Sequence, residues 1–125
     1  MIVLACGCFD ILHFGHLKHL QMAKSMGDRL IVALTRDAYV NKGPGRPVFH
    51  ERQRREMLME LRCVDAVILT SGAEEAIKFI RPDIYVKGRE YEDRLPEKKL
   101  VESLGGRVVF TYTPVHSSTA LVPHL

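Results

Sequence analysis

The densest chemistry in the chain lies in the run Gly7-Cys8-Phe9-Asp10-Ile11-Leu12-His13-Phe14-Gly15-His16. Two imidazoles flank a glycine, and both can donate hydrogen bonds to phosphate oxygens. Gly7 and Gly15 let backbone approach a ligand, and the free N–H groups of a helix start favour an anion. The same spacing also suits ordinary helix-start histidines with no ligand. A His-only zinc site is weakly supported, because no third histidine or cysteine pair stands at ligand spacing. Cys6-x-Cys8 is a poor half-site, since alternate residues of a strand point to opposite faces.

For these residues to act together, strand and helix must bring them to one edge. Short β-branched runs recur at Ile2-Val3-Leu4, Leu30 to Leu34, Val67-Ile68-Leu69, Ile84-Tyr85-Val86 and Val108-Val109-Phe110. They are apolar at successive positions, as strands buried on both faces are. Between them stand helical stripes: Leu17, Leu20 and Ala23; Met57, Leu58 and Leu61; Ala76, Ile77 and Ile80; Leu100, Val101 and Leu104. Gly27-Asp28, Pro82 and Gly105-Gly106 supply the stops. The alternation predicts an α/β fold, a Rossmann-like doubly wound parallel sheet of about five strands with helices on both faces. Ligands of such sheets bind at the carboxyl ends of the strands, where the histidine run falls. Tyr39 to Phe49 and Lys87 to Pro96 read as loops, and residues 1–125 as a single domain.

Composition narrows the partners. With 125 residues, 46% of them hydrophobic, the chain suits one core rather than disorder. A net charge of +3, no tryptophan and no basic stripe interleaved with aromatics argue against nucleic acid. Three cysteines do not make a secreted disulfide framework, and Met1 to Cys6 falls short of the about 20 apolar residues of a membrane span. The chain therefore reads as cytoplasmic, with no membrane partner. A Gly-x-Gly-x-x-Gly after the first strand and a Gly-Lys-Ser/Thr are both missing, which disfavours a dinucleotide oxidoreductase or a P-loop NTPase.

Phe9-Asp10 with His13-x-Gly15-His16, then Arg46-Pro47-Val48 with Gln53-Arg54, Val64-Asp65, Val86-Lys87-Gly88 and Ser117-Ser118-Thr119 stand in this order along the chain. Together they resemble the cytidylyltransferase-like nucleotidyltransferases with a His-x-Gly-His signature. The resemblance implies an enzyme in which a phosphate oxygen of an acceptor attacks the α-phosphorus of a nucleoside triphosphate and releases pyrophosphate, with no covalent intermediate. Positioning and charge stabilisation carry such a reaction.

Carried over by position, the resemblance makes His13, His16, Lys42 and Arg54 the catalytic set. Gly7, Cys8, Phe9, Asp10, Gly15, Lys87, Gly88, Ser117, Ser118 and Thr119 would bind the nucleotide, and Lys42 and Arg46 the acceptor; Arg89, where the chain leaves the family's pattern, adds a positive charge that is a further candidate for binding the acceptor. Asp10 either orients its loop or helps hold Mg²⁺, the implied cofactor, through water. Homodimerisation is implied in the same way. Among the remaining histidines, His19 reads as packing or solvent-facing, His50 as a helix start, and His116 adjoins the serine signature.

Two branches of the family compete. Lys87-Gly88 followed by Tyr91, and Gly105-Gly106, look like the adenylyltransferase domains that convert ATP and heptose 1-phosphate to ADP-heptose, a cell-envelope precursor. Leu61-Arg62-x-Val64-Asp65 suits glycerol-3-phosphate cytidylyltransferases, which use CTP, and FAD synthetases are a third fit. Arg89-Glu90 depart from the Gly-Asp of the heptose branch. A nucleotide-binding module without turnover is the non-enzymatic alternative; intact His13, Gly15, His16 and Arg54 argue against it.

Overall fold

Each apolar run forms a strand: β1 (Ile2–Gly7), β2 (Arg29–Thr35), β3 (Ala66–Thr70), β4 (Ile84–Gly88) and β5 (Arg107–Thr111). The helices are α1 (Phe14–Ser25), α2 (Glu51–Met59), α3 (Ala73–Ile80) and α4 (Lys98–Ser103). The computed structural model describes residues 1–112, so Ser117, Ser118, Thr119 and His116 lie outside the described residues. All pairings are parallel, in the order β3-β2-β1-β4-β5. Order reverses between β1 and β4, and this switch point opens a crevice at the carboxyl ends of those two strands.

The unbroken apolarity of the strands divides between two cores because successive side chains alternate faces. Val3, Ala5, Val32, Leu34, Ile84 and Val86 pack with Leu20 and Ala23 of α1 and Leu58 of α2. Leu4, Ala33 and Tyr85 pack with Ala76 and Ile77 of α3 and Val101 of α4. Helices thus cover both faces, and α1 and α2 share one of them.

Polar links hold the strand starts. Asp65, just before β3, accepts from Leu30 N at 2.7 Å and from Lys24 Nζ at 2.6 Å. Gly105 follows α4 with φ +88°, a left-handed position that glycine takes without steric cost. Two loop boundaries differ from the reading above. Lys87 and Gly88 complete β4 through their pairing with Phe110 and Thr111, and Arg89–Tyr91 form a 3-10 turn. A second such turn, Asp37–Tyr39, opens the other loop.

Candidate active site

A cavity of about 430 Å³ opens over the switch point. The ends of β1 and β4 supply Cys6, Gly7, Lys87 and Gly88, the β1–α1 turn supplies Cys8 and Phe9, and α1 with its cap supplies His13, Gly15, His16 and His19. Lys42 enters from the loop after β2, and Thr35, Ala73, Glu90, Tyr91 and Thr111 complete the wall. Cys6 and Cys8 both reach it despite their alternation, because β1 ends at Gly7 and the chain turns there.

The two signature histidines cap α1 with their own rings. His13 Nδ1 accepts from Gly15 N at 3.1 Å, and His16 Nδ1 accepts from His13 N at 3.2 Å. An Nδ1 that accepts carries no proton, so each ring's N–H is on Nε2. The rings stack with centroids 3.8 Å apart, and Phe9 meets His16 edge-on at 5.1 Å. Burial, reinforced by His13, Lys42 and His19, lowers the His16 pKa to about 4. His16 is therefore neutral at physiological pH. Gly7 makes room for this arrangement: a Cβ there would lie 3.0 Å from the Phe9 ring. Phe9 itself takes φ 49°, a left-handed conformation uncommon for an aromatic residue.

Asp10 lies behind the cavity rather than in it. Its carboxylate accepts from Val48 N at 2.7 Å, Phe49 N at 3.0 Å and Arg46 Nε at 2.9 Å. Burial favours the protonated acid, but these N–H groups and the guanidinium outweigh it and hold the carboxyl below its usual range. Both oxygens are engaged, so of the two roles open in the sequence the structure favours loop orientation over metal binding. Arg46 is corrected likewise. Its guanidinium bonds the carboxylate and the backbone carbonyl of Asp10, and it does not line the cavity. Lys42 Nζ bonds the same carbonyl at 3.2 Å and does face the cavity.

Arg54 is the largest correction. It is fully buried and donates to Phe49 O at 2.9 Å, Cys8 O at 2.9 Å, Thr35 O at 2.8 Å and Asp37 Oδ1 at 2.7 Å. A guanidinium so engaged ties the β1–α1 turn, the end of β2 and the loop into α2 together, spends four of its five N–H donors within the protein, and does not line the cavity. In this structure it is a positioning residue. Arg89 is exposed and not among the lining residues; the 3-10 turn sends Glu90 and Tyr91 to the cavity side instead. His50 caps α2, exchanging hydrogen bonds with Gln53.

His19 was expected to pack or face solvent. It lines the cavity, its Nδ1 2.6 Å from Thr111 Oγ1, and burial followed by the charge of Lys87 lowers its pKa. Its spacing three residues after His16 was the available signal, since i and i+3 share a helix face. Lys87 Nζ lies 4.7 Å from the Tyr91 ring centre and 3.4 Å from Cys6 O. Burial raises the Cys6 thiol to about 11, with Lys87 opposing, so it is protonated at neutral pH and no thiolate stands there. Among the described residues, no group of three or more His, Cys, Asp or Glu is placed to hold a metal, and no helix is long and apolar enough to cross a membrane.

Parallel sheet, switch-point cavity and capped helix start together define an α/β domain built to receive an anionic ligand. The chain belongs to the cytidylyltransferase-like family, whose model matches residues 4–120, and is a nucleotidyltransferase by that membership. It is 45% identical over 86% of its length to the bifunctional protein HldE of Syntrophotalea carbinolica, and 42% identical over 99% to that of Methylobacillus flagellatus. It spans only 23% and 27% of those relatives. A lipopolysaccharide core biosynthesis protein from Thermoplasma volcanium superposes with a TM-score of 0.77 at 30% identity, covering 92% of this chain and 98% of that one. Pantothenate synthetase from Thermus thermophilus, at 14% identity and a TM-score of 0.64 over 92% of this chain and 56% of that one, shares the fold.

Proposed function

We propose that the domain transfers a nucleoside monophosphate, with ATP the favoured donor, to a phosphorylated sugar of the heptose 1-phosphate type. An acceptor phosphate oxygen attacks the α-phosphorus as the bond to the β-phosphate oxygen breaks, and pyrophosphate leaves. The observation that carries this reading is the pair of stacked imidazoles whose Nδ1 atoms are both held by backbone N–H groups. The Nε2 proton of the neutral His16 ring suits developing negative charge on a pentavalent phosphorus without waiting for protonation. Lys42 and Lys87 add positive charge to the same cavity.

Likeness to the HldE proteins and to a lipopolysaccharide core biosynthesis protein favours a sugar phosphate acceptor over a flavin. Mg²⁺ fits the donor set as an ion carried on the triphosphate, because among the described residues Glu90 is the one carboxylate that lines the cavity and Mg²⁺ keeps most of its waters beside phosphate. Bound there, it supplies charge neutralisation to the leaving pyrophosphate.

The test is pyrophosphate release with Mg²⁺ over a grid of ATP and CTP against heptose 1-phosphate, glycerol 3-phosphate and FMN. Turnover with ATP and heptose 1-phosphate is expected. Turnover confined to CTP and glycerol 3-phosphate would overturn the choice of substrates, and silence throughout would leave a nucleotide-binding module.

A further inference from the structure

His13, His16 and His19 succeed one another at intervals of three along the cap and first turns of α1, and all three line the cavity. Six residues of helix advance about 9 Å, more than one phosphate group spans. The two ends of this row differ in their company. At the helix start, His13 and His16 stand with Lys42. Deeper along α1, His19 stands with Thr111 at the end of β5 and Lys87 at the end of β4. Thr111 is only 1% exposed and its backbone is held by pairing with Gly88, while its hydroxyl meets His19 Nδ1.

We propose that His19, Thr111 and Lys87 form a second anion subsite in the cavity, for the acceptor's phosphate monoester, distinct from the helix-start site for the triphosphate. This assignment rests on the transferase reading above. In it the Thr111 hydroxyl donates to His19 Nδ1, as backbone N–H groups do at the other two rings, and His19 presents Nε2–H to the phosphate. The reverse bond would present a lone pair and repel it. Lys87 supplies the charge, and its effect on His19 exceeds the opposing one of Glu90. Two anionic groups must meet in this reaction, and separate donor clusters hold them without forcing both onto one cation.

The experiment uses the full 125-residue chain and ¹⁵N-histidine NMR, which reads the tautomer of each ring and its response to ligand. With a non-hydrolysable ATP analogue and Mg²⁺ saturating, titration with inorganic phosphate should shift His19 Nε2, in the Nε2–H tautomer. His19→Phe should weaken phosphate binding at least about tenfold and analogue binding less than about threefold, and His19→Gln should restore part of the phosphate affinity. An Nδ1–H tautomer, an unmoved His19, or equal loss of both ligands in His19→Phe would overturn the subsite. If the analogue itself fails to bind, the transferase reading fails instead, which the same spectra show at His13 and His16.

Discussion

At the residue scale the neutral imidazole of His16 decides the behaviour of the site. A protonated histidine pair would attract phosphate more strongly, but burial beside Lys42 holds His16 neutral down to about pH 4. Its contribution must then come from a directed N–H that strengthens as charge develops. His16→Ala is expected to lower kcat about a hundredfold with KM for ATP changed much less. Near-normal kcat in that variant would remove His16 from the catalytic set. The same burial sets a pH dependence of stability. Between the ordinary histidine value of 6.5 and about 4, the unfolded chain takes up a proton at this position and the folded chain does not. Stability is therefore present in full above about pH 6.5 and declines as pH falls toward 4, and His19 adds a change of the same sign. Urea midpoints at pH 7.5 and 5.0 measure it. A midpoint that rises on acidification would contradict neutral burial.

At the scale of elements, two buried charges hold the loops that carry the site. Arg54 on α2 gathers three carbonyls and Asp37 from three segments, and replacing it leaves those acceptors in the interior without donors. Arg54→Met should cost roughly 3–5 kcal/mol in urea denaturation. A small loss of stability with abolished turnover would instead make Arg54 a ligand contact. Asp10 does the corresponding service for the loop after β2. In Asp10→Asn one carboxylate oxygen becomes an NH₂ that opposes the N–H of Val48 or Phe49, and the pairing with Arg46 weakens. A loss of about 1–3 kcal/mol is expected, with KM for ATP rising because the Asp10 carboxylate holds the loop that carries Lys42. An unchanged KM would separate Lys42 from that anchorage.

At the scale of the whole molecule, a parallel sheet brings residues far apart in sequence to one edge. His19 and Thr111 are 92 residues apart, Lys87 and Cys6 81 apart, yet each pair meets at the cavity. The fold is thus a condition for the site, and ligand and fold should stabilise each other. A nucleotide bound only by the folded chain adds about 2.7 kcal/mol at a hundred times its Kd. Thermal melting of the chain with Mg²⁺ should show a transition that rises with ATP concentration. No shift at millimolar ATP would count against a donor site.

Local chemistry was legible in the sequence. The apolar runs dictated both-face burial and hence the parallel sheet, the stops fell where helices end, and the His-x-Gly-His run declared a site at the carboxyl edge. Tertiary structure decided which polar residues face the ligand and which face the protein. Arg46, Arg54 and Asp10 carry the charges that phosphate or metal chemistry requires, and nothing in one dimension distinguishes a charge aimed at a ligand from one aimed at a neighbouring loop. The carbonyls of Cys8 and Thr35 that claim Arg54 lie 46 and 19 positions away. His19 shows the converse: its place in the cavity depends on β5 ending opposite α1 with Thr111 at its tip, a juxtaposition that only the assembled sheet creates.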